Sequence, residues 1–128
     1  MSELLTLLLV GYAASVALET PVLLVGLSAR HSLASRLAAG CWLTACTYPV
    51  VILVLPPLFA SRATYLVVAE TFAPSAECLL FWAAFAPHDS LRSRSLWRDF
   101  AAVTLANLAS FAAGEWLHGH EWFGLFGA

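Results

Sequence analysis

The sequence contains no lysine at all, and only 11% of its 128 residues are charged, under half the share of an average soluble domain. Six arginines against eight acids leave a net charge of -2, so there is no basic patch to hold a nucleic-acid backbone. Cysteine is scarce: Cys41, Cys46 and Cys78 make an odd number, which forms no disulfide framework. Each falls in an apolar run, where a thiol is expected to pack as a small hydrophobe. The chain also lacks a Ser/His pair, a His-Glu-x-x-His run and any cysteine/histidine spacing of a metal enzyme, all of which argues against an intramembrane catalyst. No basic stretch follows Met1-Ser2-Glu3, and the apolar run after it is too long for a secretory signal. The first span is therefore expected to stay in the protein.

What is present is apolar: 61% of the residues are hydrophobic and the mean hydropathy is +0.82. That composition indicates an all-α, polytopic membrane protein whose first partner is the lipid bilayer. Apolar segments run over about 4–29, 35–55, 65–86 and 100–117. Each can cross the hydrocarbon core as a helix, the last only just, because about 20 residues rise about 30 Å. The whole chain is thus one four-helix transmembrane domain. Arg30 and Arg36 lie between the first two spans, and Arg92, Arg94 and Arg98 between the last two. The positive-inside rule puts these connections in the cytoplasm and both termini outside, as expected for a prokaryotic inner-membrane protein.

The third span organises the rest, because it carries Glu70, Pro74 and Glu77 at i, i+4 and i+7, on one helix face. A carboxylate at the bilayer centre costs about 2.5 to 3.5 kcal/mol even on a lenient scale, so these acids must face protein or water. Glu19, Thr44, Thr47, Glu77, Asn107 and Ser110 all lie within about four residues, or roughly 6 Å, of the midpoint of their spans. The halves also repeat. Glu19 followed by Ser32-Leu33-Ala34-Ser35-Arg36 matches Glu77 followed by Ser90-Leu91-Arg92-Ser93-Arg94 without a gap, and after a five-residue insertion Thr44 and Thr47 match Asn107 and Ser110. Two hairpins of the same orientation imply a pseudo-two-fold axis along the membrane normal, with a shared site on it. Chance similarity in an Ala/Leu/Ser-rich chain is the competing explanation.

Pro21, Pro49 and Pro74 interrupt three spans near this level and leave the carbonyls of Ala17, Ala45 and Glu70 without their helical donor. Free carbonyls beside carboxylates suit a small hard cation, although ordinary kinks satisfied by neighbouring helices give the same pattern. In the tail, Glu115 and His118 share a helix face, with His120 and Glu121 near enough to join a metal site. Trp116 and Trp122 equally mark an interfacial aromatic belt. The pairs Ala13/Ala17, Ala102/Ala106 and Ala109/Ala113 would let helices approach a second copy closely, so a homo-oligomer or a membrane-protein partner is expected.

With Glu19-Thr20-Pro21, Thr44-Ala45-Cys46-Thr47-Tyr48-Pro49, Glu77 and Ala106-Asn107-Leu108-Ala109-Ser110 laid out, the chain resembles a group of small four-span prokaryotic membrane proteins of uncharacterised function. That group has Asn where this sequence has Thr44, and His where it has Tyr48, so no histidine ligand is offered at that level. The resemblance implies the fold and no activity. Three functions then compete. The first is proton or small-cation transport through Glu19, Glu70 and Glu77. The second is a non-catalytic subunit or assembly factor whose polar residues are interhelical glue. The third is an intramembrane acid/base or metal-dependent enzyme.

Overall fold

The computed structural model describes residues 2–120. Four long helices dominate: α1 (Glu3–Gly26), α2 (Leu33–Pro49), α3 (Arg62–Phe85) and α4 (Arg94–Gly119). All are long and apolar enough to cross a membrane, α2 when counted with the turn that continues it to Val54. Among the described residues there is no strand. Serine starts every helix. The side chains of Ser2, Ser32, Ser61 and Ser93 accept from the backbone N–H three residues on, satisfying one of the donors that a helix start leaves unpaired.

The boundaries differ from the apolar segments in an informative way. Helix α4 begins at Arg94, six residues before the apolar run. Hydropathy ends at charge, whereas a helix ends where its cap is, and Ser93 caps this one. Pro21 and Pro74 sit inside continuous helices. Pro49 instead marks a change of pitch, since Val50–Val54 forms a π-helical turn and Pro56–Leu58 a short 3₁₀ turn. The Tyr65 hydroxyl donates to the Val51 carbonyl in that turn, 2.8 Å away, and so pins α3 to it.

The helices form an up-and-down bundle in which α1 packs on α2 and α4, and α3 on α4 and α2. One end carries the connections 27–32 and 86–93 and five of the six arginines. The compact apolar core lies here: Leu23, Leu27, Leu43, Phe81, Leu96 and Val103 are each buried, with Ala39, Ala102 and Ala106 between them. Ala102 and Ala106 are consumed inside the bundle, where Ala102 meets Gly26 of α1. That pair therefore cannot serve contact with a second copy. Ala13 and Ala17 do face outward.

Candidate functional site

The acids near the middle of α1 and α3 are buried inside the bundle. Glu19 of α1 and Glu77 of α3 are 5% and 2% exposed. Glu77 Oε1 lies 2.8 Å from the Thr47 hydroxyl, and its Oε2 accepts from the Asn107 amide. Glu19 Oε2 lies 2.9 Å from the Thr44 hydroxyl, and Ser110 of α4 lines the same cavity. Of the residues singled out in the sequence, Glu19, Thr44, Thr47, Glu77, Asn107 and Ser110 are thus in one place. Glu70 is half-buried one level away and lines the same cavity as Glu19.

The threonines show what this arrangement can do. Thr44 Oγ1 is also 3.0 Å from the Gly40 carbonyl, and Thr47 Oγ1 is 3.1 Å from the Leu43 carbonyl. Each hydroxyl has one hydrogen and two acceptors in reach. When the carboxyl group is ionised, the hydroxyl turns to it and donates. When the carboxyl group is protonated, it donates to the hydroxyl oxygen, which gives its own hydrogen to the carbonyl four residues back. Neither state strands a buried polar atom, so the cost of an unmade hydrogen bond, about 1 to 3 kcal/mol, is avoided in both.

A cavity of about 580 Å³ leads from this level to the end opposite the arginines. Glu19, Thr44, Thr47, Asn107 and Ser110 line its floor, and Tyr48, Tyr65, Phe111 and Glu70 its wall. Arg62, Glu115 and His118 line its rim, where Arg62 donates to Glu115 at 2.6 Å. Tyr48 is held by donation to the Leu7 carbonyl, and its ring lies over Gly11, where any Cβ would meet the tyrosine hydroxyl. Glycine is needed there for that close approach.

The described tail residues Glu115, His118 and His120 do not gather into a metal site. Glu115 is taken by Arg62, His120 Nδ1 lies 2.8 Å from the Trp116 carbonyl, and Glu121 falls outside the described residues. Among the described residues no three His, Cys, Asp or Glu side chains gather as a metal site would require.

Sequence reasoning missed Asp99, whose side chain is wholly buried at the arginine end. Its Oδ1 accepts from the Ser28 N–H at 2.7 Å, and its Oδ2 accepts from Arg30 Nη2 and meets His31 Nε2, each at 2.8 Å. Arg30 also pairs with Asp89 at 2.5 Å, joining the two connections. Arg36 completes the cluster by donating to the carbonyls of Leu24, Leu27, Ser28 and His31, which closes the end of α1. The available signal was Ser93, since a cap there carries the helix through Asp99 and turns the acid toward α1.

No family model, curated protein or solved structure matches this chain. The reading of the site rests on its geometry.

Proposed function

We propose that this is a small transport or channel-like membrane protein in which Glu19 and Glu77 bind and release a proton or a small cation. The observation that carries the reading is a pair of buried carboxyl groups, Glu19 at the floor of a one-sided cavity and Glu77 joined to that floor through Thr47 and Asn107, each beside a threonine hydroxyl that accommodates both of its protonation states. A purely structural acid has no use for a second state.

The partners of the acids favour a parallel repeat. Under the correspondence of Thr44 with Asn107, the partner of Glu19 (Thr44) maps onto a partner of Glu77 (Asn107). The Thr44–Glu19 bond thus has its counterpart in Asn107–Glu77, which supports hairpins related by a two-fold along the membrane normal. We assign the arginine end to the cytoplasm, so that both termini and the cavity mouth face outside a prokaryotic inner membrane. The exposed Ala13/Ala17 face is our candidate for contact with a second copy. We also group the chain with the small four-span proteins it resembles.

One observation favours the second reading, a non-catalytic subunit or assembly factor: the arginine end is closed by a packed apolar core. The test is ion flux in liposomes containing the purified protein. Transport predicts Glu19-dependent movement of H⁺, Na⁺, K⁺ or a divalent cation, lost in Glu19→Gln and Glu77→Gln. A wild-type protein that moves none of them overturns transport and leaves the subunit reading.

A further inference from the structure

The cavity is far larger than a bare ion needs. A hard cation is bound by a shell of oxygens at about 2.0 to 2.6 Å, whereas this space of about 580 Å³ is walled mainly by aliphatic and aromatic side chains. Its size and lining are those of a site for a small organic molecule, for which volumes of about 300 to 1,000 Å³ are usual.

The charge of the wall selects among such molecules. Three carboxyl groups line the cavity, Glu19, Glu70 and Glu115, against one arginine among the described lining residues, Arg62. Arg62 is held by Glu115 at the rim. Deeper in, Glu19 and Glu70 face the space with no arginine opposite them. An anion is repelled from this lining, and a neutral ligand leaves the acids without a counter-charge. The rings of Tyr48, Tyr65 and Phe111 line the same cavity, and the electron-rich faces of such rings attract cations of low hydration.

We propose that the cavity binds a monovalent organic cation with an apolar body, its charge between Glu19 and Glu70 and its body against Tyr48, Tyr65 and Phe111. The inference rests on the transport reading in that it names the ligand class of the same cavity. A proton and this cation share Glu19, which gives the floor acid two exchangeable occupants.

The experiment uses the full chain in lipid nanodiscs, with tetraphenylphosphonium as the probe and triphenylphosphine oxide as the uncharged control, read by equilibrium dialysis. Saturable binding to the wild type is expected, about tenfold weaker in Glu19→Gln, a few-fold weaker in Glu70→Gln, and at least about tenfold weaker for the uncharged control. Glu70 lies off the buried floor, so its variant tests the charge even where the floor variant fails to fold. Absence of saturable binding, unchanged affinity in both variants, or equal binding of the control overturns the proposal. The two readings fail separately. Glu19-dependent proton or sodium flux without probe binding leaves transport standing and removes this ligand class. Glu19-dependent probe binding in a protein that moves no cation supports this site and removes transport.

Discussion

The two ends of the bundle solve the same problem in opposite ways. At the arginine end, the two aspartates are answered at short range, Asp99 by Ser28, Arg30 and His31 and Asp89 by Arg30, and the end of α1 is closed by Arg36. Around them Leu23, Leu27, Phe81 and Leu96 are buried in one apolar cluster. At the other end, Glu19 and Glu70 look into an open cavity and the packing is left incomplete. In a bilayer the lipid tails already surround apolar side chains, so close packing comes from dispersion and hydrogen bonding rather than from escape from water. An unfilled cavity therefore forfeits contacts that the arginine end makes.

The sharpest way to break the contrast is to empty the closed end of its central charge. Asp99→Ala leaves the Ser28 N–H, Arg30 and His31 facing a void, and removing one member of a buried charged cluster costs about 3 to 5 kcal/mol. The denaturation midpoint in mild detergent should collapse. A variant as stable as wild type would show the cluster to be incidental.

At the midplane the expected effect is on function. In Glu77→Gln the new carbonyl accepts from Asn107, and the new amide donates to Thr47, which still donates to Leu43. Stability should change by less than about 0.5 kcal/mol, while liposome flux is lost with the exchangeable proton. A fully active Glu77→Gln protein would assign that acid a structural role.

Two glycines sharpen the contrast in packing. A Cβ at Gly26 would lie 2.9 Å from Ala102 Cβ, whereas one at Gly114, which lines the cavity, meets nothing within 4 Å. Gly26→Ala should destabilise by about 1 to 3 kcal/mol through overpacking. Gly114→Ala should stabilise by up to about 1 kcal/mol through helix propensity. Equal shifts in melting temperature would mean that the ends are packed alike.

The smallest effect is that of pH on the loop pair. Arg30 bonded to Asp89 holds that carboxyl group below its ordinary value. A depressed folded-state value contributes stability above the unfolded value of about 3.9, and the contribution is lost as pH falls through the folded one. The melting temperature should dip below about pH 4 in wild type, and less in Asp89→Asn. A dip that begins near neutral pH would point to a different group.

Much of the fold was legible because the bilayer restricts the choices. A run of about 20 apolar residues has one economical form in hydrocarbon, so 4–29, 35–55, 65–86 and 100–117 already located the helices that occupy Glu3–Gly26, Leu33–Val54, Arg62–Phe85 and Arg94–Gly119. The cost of exposing Glu19 and Glu77 to lipid likewise fixed that they face inward. What the sequence could not decide depends on distances between residues far apart in the chain. Asp99, just ahead of the apolar run that begins near residue 100, gained a role only when the 27–32 connection brought Ser28, Arg30 and His31 to it. Ala102 and Ala106 read as a face for another copy until Gly26 occupied it. The cavity had no signature at all, because empty space is set by how four helices fail to meet, and no single helix encodes that in its own pattern.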